Sequence, residues 1–335
     1  MRVPGFYYRP PGLASFLLLP FALAYGAVVA WRMRKTGERA GVPVICIGNP
    51  TLGGAGKTPT TIAVAQMLAA MGEKPGFLSR GYGGSDAGPV LVDADTHAAS
   101  QVGDEPLLLA RHFPTFVARD RVAGARLAAA SGISVLVLDD GFQNPALEKD
   151  CSLLVIDGES GIGNGDVFPA GPLRAPLDVQ LSLTHAVVRV STGKGSRPVE
   201  ERARMMGLPV LGAQLVPDEG ALAAFKSKPL LAFAGIGRPE KFFATLKAAG
   251  AIVVESHSFD DHHRYTADEA RDLIDAAKRG NLSLVTTEKD LARMRGDAAL
   301  KKLAAQSSTL PVRLQFDDEA AVKALLERTL TRARP

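Results

Sequence analysis

The stretch from Thr51 to Thr58 reads TLGGAGKT, and it constrains the fold more than any other part of the chain. It follows a short apolar run, VPVICIGN, and precedes an amphipathic segment that starts near Thr58 and ends near Met71. A strand, a glycine-rich turn and a helix in that order form a phosphate-binding loop, in which backbone N–H groups and a helix N-terminus surround phosphate oxygens. The sequence therefore predicts a P-loop NTPase-like α/β domain.

Each position of this loop has a predicted part in nucleotide binding. The glycines let the backbone close around the phosphates, Lys57 reaches the β- and γ-phosphates, and the Thr58 hydroxyl takes a Mg²⁺ position. The residues predicted to bind the nucleotide are Thr51, Gly53, Gly54, Ala55, Gly56, Lys57 and Thr58. Thr51 stands where the usual pattern has its first glycine. Lys57 is also counted among the catalytic residues, since it contacts the group that is transferred.

A second motif, VLVLDD, ends an apolar run in two carboxylates, Asp139 and Asp140. In a P-loop protein such carboxylates hold Mg²⁺ directly or through water, although a solvated pair at a strand end gives the same pattern. TTEKD, from Thr286 to Asp290, is only a loose echo of the Asn-Lys-x-Asp motif that reads guanine. We therefore predict ATP with Mg²⁺ rather than GTP.

Apolar, β-branched runs alternate with helical patterns along the chain, as in KPGFLSRGYGG, ISVLVLDDGFQN and DCSLLVIDG. This alternation predicts a doubly wound, mainly parallel sheet. Composition changes between about residues 191 and 228, so we predict a P-loop domain at 36–227 and a smaller α/β domain at 228–335 that closes over a cleft. Within the smaller domain, Thr266 and Glu269 form a capping-box pattern that marks a helix start.

Residues 1–35 form a separate N-terminal segment whose apolar part, Leu13 to Trp31, is at the lower edge of the length that spans a bilayer. Basic residues flank it on both sides; they are Arg2, Arg9, Arg32, Arg34, Lys35 and Arg39. Three interpretations stay open: a spanning anchor, a helix lying in the membrane interface, and a buried core helix. Under either membrane interpretation the basic flank places the following domain on the cytoplasmic side.

Bulk composition excludes several classes of protein. With 46% hydrophobic and 22% charged residues, the chain fits neither a disordered nor a multi-span membrane protein. A net charge of +4 and 6% aromatic residues give no signature of nucleic-acid binding. Cys46 and Cys151 lie in apolar runs, so we expect buried, reduced thiols.

Six motifs occur in a fixed order: TLGGAGKTP, SRGYGG, VGDEP, DDGFQN, GNGDVFPAGPLR and FDDHHRYT. Together with the apolar start, they resemble the tetraacyldisaccharide 4′-kinases, which are the lipid A 4′-kinases of Gram-negative bacteria, over nearly the whole chain. The resemblance implies ATP-dependent phosphorylation of the 4′-hydroxyl of a lipid-linked glucosamine disaccharide 1-phosphate at the cytoplasmic face of the inner membrane. It implies the lipid substrate and the membrane surface as partners, with no nucleic acid and no obligatory protein partner.

By that resemblance, Asp104 of VGDEP is the catalytic base, which accepts the proton of the acceptor hydroxyl. His262 would come from the smaller domain and pair with Asp104, so that closure of the cleft completes the site. The residues leave open whether His262 or His263 makes this contact, and we choose His262 from the family pattern. No ligand spacing supports a metal site at the histidines, and the same holds for His257.

Further residues are candidates for substrate binding, each with an ordinary structural alternative. Forked guanidinium groups suit phosphate, glutamate can assist the base or cap a helix, and the GFQN amides can contact the disaccharide or form a turn. The candidates are Arg80, Glu105, Arg121, Gln143, Asn144 and Arg174. Ala175 stands where the resembling family usually has Glu, so Asp166 or Asp178 would have to supply a carboxylate if one is needed there.

Two alternative functions share the P-loop. One is a membrane-associated P-loop ATPase or metallochaperone acting on a protein partner, which Leu52 disfavours because ATPases of the partitioning type carry Lys at that position. The other is a kinase or synthetase of the same fold with a water-soluble acceptor, which would not need residues 1–35.

Overall fold

The computed structural model describes residues 4–334, so Arg2, one of the predicted flanking basic residues, lies outside the described part. The strands are β1 (Val44–Gly48), β2 (Pro75–Ser79), β3 (Val90–Leu91), β4 (Thr115–Val117), β5 (Val135–Asp139), β6 (Cys151–Asp157), β7 (Ala186–Val190), β8 (Val210–Pro217), β9 (Pro229–Ala234), β10 (Ile252–Ser258), β11 (Ser283–Thr286), β12 (Ser307–Thr309) and β13 (Val312–Phe316). The helices are α1 (Leu13–Met33), α2 (Lys57–Ala70), α3 (Ala99–Val102), α4 (Asp104–Leu109), α5 (Arg121–Ala130), α6 (Leu177–Ser182), α7 (Arg197–Met205), α8 (Glu219–Phe225), α9 (Pro239–Ala248), α10 (Ala267–Gly280), α11 (Glu288–Met294), α12 (Lys301–Gln306) and α13 (Glu319–Ala333).

The larger sheet has nine strands in the order β13-β8-β7-β6-β1-β5-β2-β4-β3. Its strand pairs are parallel except at the two edges, where β13 pairs with β8 and β3 pairs with β4 in the antiparallel sense. The P-loop strand β1 lies between β6 and β5, so the motif and the two carboxylates of VLVLDD emerge side by side at the same end of the sheet. The predicted doubly wound, mainly parallel sheet is confirmed.

Both faces of this sheet are covered, which explains why β1 is apolar throughout. Ile45 and Ile47 face a core built with α2 and α13, while Val44 and Cys46 face a second core built with α5 and α7. Parallel strands buried on both faces read as continuous rather than alternating apolar runs. Cys46 and Cys151 are both buried free thiols, and burial raises the pKa of Cys46 to about 12.

A second, smaller sheet has four parallel strands in the order β10-β9-β11-β12. Helix α10 covers it, and the predicted capping box at the start of this helix is present, with Thr266 and Glu269 each bonding the other's backbone N–H. The sequence assigns residues 228–335 to the smaller domain. In the structure, β13 returns to the larger sheet and α13 packs on that sheet, so the second sheet is inserted between β8 and β13.

The N-terminal apolar segment forms α1, a helix of 21 residues with Pro20 inside it. By length and composition it could cross a membrane, and only 17% of its most apolar window is buried. One narrow side contacts the Gly- and Pro-rich loop before α6, where the Asn164 amide donates to the Ser15 hydroxyl and the rings of Tyr25 and Phe168 meet edge to face. Exposed apolar side chains occupy the other sides; they are Leu13, Phe16, Leu17, Phe21, Leu23, Val28 and Trp31. A buried core helix does not have this surface.

Candidate active site

The P-loop bends between β1 and α2 with two glycines at positive φ, Gly53 at 102° and Gly56 at 88°. A side chain at Gly56 would be strained by that φ, and its Cβ would lie 3.2 Å from the methyl groups of Val190. Asn49, fully buried, donates its amide to the carbonyl groups of Thr51 and Gly53. The glycines allow the backbone conformation of this loop, and the buried amide of Asn49 stabilises it.

Lys57 is the first residue of α2, and its ammonium group points back across the loop. Nζ donates to Oδ1 of Asn49 at 3.0 Å and lies 3.6 Å from Oδ2 of Asp140. The side chain is largely buried, so its charge is poorly screened. The sequence predicts that Lys57 contacts the β- and γ-phosphates, and an ammonium group that points across the P-loop is consistent with that role.

Asp139, the last residue of β5, is buried beside the P-loop helix. Oδ1 accepts a hydrogen bond from Thr61 at 3.0 Å, whereas Oδ2 is buried and has no hydrogen-bond partner within the described residues. Burial, followed by the negative charges of Glu105 and Asp140, raises the pKa of Asp139 above its ordinary value. A buried carboxylate oxygen without a donor is costly, and Mg²⁺ is the kind of group that would satisfy it.

The oxygen atoms near Oδ2 of Asp139 suit a magnesium ion that is held jointly by the protein and a nucleotide. Thr58 is buried in the first turn of α2, and Asp140 follows Asp139 directly. Among residues 4–334 no group of three or more His, Cys, Asp or Glu side chains could hold a metal alone. Mg²⁺ usually keeps water and phosphate oxygens in its coordination shell, so Thr58, Asp139 and Asp140 fit as a partial set.

Asp140 has a positive φ of 56° and forms a bidentate ion pair with Arg174. The guanidinium donates Nη1 to Oδ1 at 2.6 Å and Nη2 to Oδ2 at 3.1 Å, while its Nε donates to the carbonyl of Thr51. Burial alone would raise the pKa of Asp140, but the charges of Lys57 and Arg174 outweigh it and hold this pKa well below its usual range. Arg174 therefore links the P-loop backbone to Asp140, one of the two predicted metal-binding carboxylates.

Gln143 and Asn144 lie in the turn that follows β5. The Gln143 amide donates to the carbonyl of Asn49 and to Oε1 of Gln180, while Oδ1 of Asn144 accepts from the N–H of Ala146. Gln180 is fully buried and also donates to the carbonyl of Ala175, which packs in the core. These contacts are with the protein itself, and sequence reasoning gave no sign of Asn49 or Gln180.

Asp104 is the first residue of α4 and is only 5% exposed. Its Oδ2 lies 3.1 Å from Nδ1 of His262, which is brought by the turn between β10 and α10 with a positive φ of 56°. Nε of Arg293, from α11, donates to the same oxygen at 2.7 Å. Burial would raise the pKa of Asp104, but the hydrogen bond from His262 and the charge of Arg293 hold it well below the usual range.

The same contact acts on the histidine. Its hydrogen bond to Asp104 raises the pKa of His262 above the ordinary value despite burial. His263 instead bonds Glu269 at 3.0 Å and stacks on Phe259, and His257 lies 3.4 Å from Glu255. His262 is thus the histidine whose side chain reaches Asp104.

Glu105, next to Asp104, is paired at 2.6 Å with Lys289 of α11, a helix that packs on the smaller sheet. Burial would raise the pKa of Glu105, but the positive charges of Lys289 and Lys57 outweigh burial and lower this pKa below its ordinary value. Lys289 belongs to the TTEKD segment, whose chemistry the sequence left unassigned.

Two candidate arginines lie in different surroundings. Arg80 is exposed at the end of β2. Arg121 is buried at the start of α5, its Nη1 has no hydrogen-bond partner among the described residues, and burial lowers its pKa although Asp139 and Asp140 oppose this. An unpaired buried guanidinium nitrogen is suited to an anion.

The two sheets also meet on the other side of the P-loop. Asp157, at the end of β6, accepts hydrogen bonds from Arg238, which directly precedes α9, at 2.6 Å and from Lys241, in the first turn of α9, at 3.1 Å. Arg238 additionally reaches the carbonyl of Gly54 at 3.5 Å. Helices and turns that surround the smaller sheet therefore contact both the P-loop and Asp104.

Comparisons with known proteins identify the family of this chain. A family model described as Tetraacyldisaccharide-1-P 4′-kinase matches residues 14–331. Proteins named tetraacyldisaccharide 4′-kinase are similar over 334 residues: one from Rhodopseudomonas palustris (strain BisB5) is 54% identical, covering 100% of this chain and 98% of that protein. One from Bradyrhizobium sp. (strain BTAi1) is 51% identical, covering 100% of this chain and 97% of that protein.

A solved structure is similar as well. It is the crystal structure of the "apo" form of LpxK from Aquifex aeolicus in complex with ATP, with a TM-score of 0.74 and 26% identity, covering 95% of this chain and 100% of that chain. These matches do not favour the alternative of a P-loop ATPase or metallochaperone acting on a protein partner.

Proposed function

Because the chain belongs to the tetraacyldisaccharide-1-P 4′-kinase family, we propose that it transfers the γ-phosphoryl group of ATP to the 4′-hydroxyl of a tetraacylated glucosamine disaccharide 1-phosphate. The products are the 1,4′-bisphosphate and ADP. The observation that carries the proposal is the buried contact of Asp104 with His262, on a helix, α4, that packs against the P-loop helix α2.

The P-loop supplies the donor side of the reaction. Backbone N–H groups from Thr51 to Thr58 surround the phosphates, and Lys57 exchanges its contact with Asn49 for the β- and γ-phosphate oxygens. Thr58, Asp139 and Asp140 would hold Mg²⁺, for which the unpaired Oδ2 of Asp139 is the support. Mg²⁺ would neutralise negative charge on the β- and γ-phosphate oxygens.

Asp104 acts on the acceptor side as the general base. A carboxylate with a depressed pKa takes the hydroxyl proton only as the new P–O bond forms, which suits the loose transition state of phosphoryl transfer. His262 orients this carboxylate and comes from the other sheet, so the two catalytic side chains are together only when the sheets are docked.

The remaining candidate residues are proposed substrate contacts, and three of them have a supporting feature. Arg121 offers an unpaired buried nitrogen, Arg174 touches the P-loop, and Glu105 lies beside the base. The substrate contacts proposed are Arg80, Glu105, Arg121, Gln143, Asn144 and Arg174.

Helix α1 would hold the enzyme at its lipid substrate. Its exposed apolar side chains and the basic residues from Arg32 to Arg39 suit the surface of an anionic leaflet, with the catalytic domain on the cytoplasmic face of the bacterial inner membrane. An acceptor embedded in lipid explains why a nucleotide-binding chain has an apolar start.

The test is an acceptor assay. Detergent-solubilised protein with ATP, Mg²⁺ and the disaccharide 1-phosphate is expected to yield the 1,4′-bisphosphate, and Lys57→Ala is expected to abolish the product. Asp95→Asn, which alters an exposed carboxylate, is the matched control and should leave the rate unchanged. Folded protein that binds ATP but yields no bisphosphate would contradict the proposal.

A further inference from the structure

We infer that Arg293 is a positioning residue for Asp104: it fixes the Oδ2 atom from the smaller sheet, so that Oδ1 is the oxygen presented to the acceptor hydroxyl. This inference rests on the proposed function. It adds a residue from α11 to the machinery and assigns the proton-accepting atom of the base.

The two oxygens of Asp104 are not equivalent. Oδ2 lies 3.1 Å from Nδ1 of His262 and receives the Arg293 guanidinium, with both Nε and Nη2 at 2.7 Å. A carboxylate only accepts, so Nδ1 of His262 carries the proton in this contact. Within residues 4–334, Oδ1 accepts one hydrogen bond, from the N–H of Glu105 at 3.0 Å. Two side chains therefore use the lone pairs of Oδ2, and Oδ1 retains one for the substrate.

Arg293 is itself held rigidly. Its side chain is 7% exposed, and its Nη1 donates to Oδ1 of Asp290 at 2.7 Å and to the carbonyl of Gly235. Asp290 is fully buried and accepts from the N–H of Gly235, the hydroxyl of Tyr265 and the hydroxyl of Thr287. The position of Arg293 is thus set by β9 and α11, independently of Asp104.

The charged groups around Asp104 also support a positioning role for Arg293. The charged groups around Asp104 are Glu105 on α4, His262 from the turn before α10, and Lys289 and Arg293 on α11. Lys289 is engaged with Glu105 at 2.6 Å, and His262 also faces Asp261 at 3.9 Å. Arg293 is the cation that bridges Asp104 to the buried interior of the smaller sheet.

The experiment compares Arg293→Gln and Arg293→Lys with Arg295→Gln in the full-length protein. Arg295 is two residues away, is exposed, and forms no ion pair within the described chain. For Arg293→Gln we expect kcat to fall about 100-fold while the KM for ATP stays within about twofold, since misplacement of a base by about 1 Å costs that much. Arg293→Lys keeps the positive charge but cannot donate two hydrogen bonds from a planar guanidinium group, so it should recover only part of the rate.

Two further readouts separate positioning from folding. Rates are scaled to the fraction of protein that binds ATP, and Arg293→Gln is repeated in the Asp104→Asn background. If Arg293 acts through Asp104, the double variant is no slower than Asp104→Asn alone. A purely structural role would slow both backgrounds equally.

The inference is overturned if Arg293→Gln keeps kcat within threefold of the wild type, or if it slows the Asp104→Asn protein by the same factor. An Arg295→Gln variant as slow as Arg293→Gln would overturn it too. A wild-type protein without transferase activity would contradict the proposed function and, with it, this inference. An active wild-type protein together with a fully active Arg293→Gln variant would contradict this inference alone.

Discussion

Replacing Asp157 with Asn should loosen the docking of the smaller sheet on the P-loop side. Oδ2 of Asp157 receives Nη2 of Arg238 at 2.6 Å and Nζ of Lys241 at 3.1 Å, and the carboxylate is 6% exposed. Asparagine keeps one oxygen for the N–H groups of Glu159 and Ser160, so the turn after β6 is retained. The variant therefore removes the charge and leaves the local backbone intact.

The magnitude follows from the geometry. Hydrogen bonds to charged groups contribute about 1.5–3 kcal/mol each. Two such bonds end at Oδ2, so the lower end of this range gives about 3 kcal/mol in total. Arg238 and Lys241 remain 36% and 38% exposed, so water replaces about half of this. We expect a loss of about 1.5 kcal/mol of docking free energy, which is roughly tenfold in the opening equilibrium.

Hydrogen exchange measures this opening directly. Amides of residues 157–161 and of α9 should exchange about tenfold faster in Asp157→Asn, while those of α2 stay unchanged. Glu159→Gln is the matched control because Glu159 contacts the same two cations, Lys241 at 3.0 Å and Arg238 at 3.9 Å, yet is 58% exposed. Acceleration below threefold in Asp157→Asn, or equal acceleration in Glu159→Gln, would refute the reasoning.

Three further predictions concern the base, its pH dependence and the membrane. Asp104→Asn should lower kcat by about 10²- to 10⁴-fold, while calorimetry finds ATP affinity unchanged; a rate within tenfold of the wild type would rule Asp104 out as the base. The pKa of His262 is raised in the folded state, so its contribution to stability is complete below its ordinary pKa of 6.5 and is lost as pH rises through the folded value. Thermal unfolding from pH 6 to 9 should therefore show a decline that His262→Gln lacks, and parallel profiles would contradict the assignment. Leu17→Glu with Phe21→Glu should reduce flotation with anionic vesicles by about tenfold or more without changing the melting temperature, because both side chains are exposed on α1; undiminished flotation would argue against this surface.

The local signals in the sequence were sufficient for the elements around the P-loop. The apolar run before Gly48 forms β1, the predicted helix from Thr58 forms α2 one residue early, and the capping box at Thr266 is present. Each of these depends on neighbours a few residues apart, so periodicity and spacing report it. The pairing of Asp104 with His262 was available only through family resemblance, since 158 residues separate them.

The sequence does not reveal which residues far away along the chain contact the residues of the site. Arg293 is 189 residues from Asp104, and Arg238 is 81 residues from Asp157. Arg293 lies in α11 and Arg238 directly precedes α9, where each fits the pattern of an ordinary surface charge. Strand β13 alternates like any edge strand, and nothing in VRLQF shows that its partner is β8 rather than β12. Such contacts are set by tertiary packing, which leaves no local trace.

The insertion of the smaller sheet between β8 and β13 limits how the two parts can move. The chain leaves the larger sheet after Pro217 and re-enters it at Val312, and these two residues are paired neighbours. The N–H of Asp218 also bonds the carbonyl of Pro311 at 2.9 Å, so outgoing and returning segments run as one short ribbon. A double-stranded connection resists twisting and sliding more than bending, so we predict that any opening of the smaller sheet bends about this single edge and moves His262 and Arg238 together.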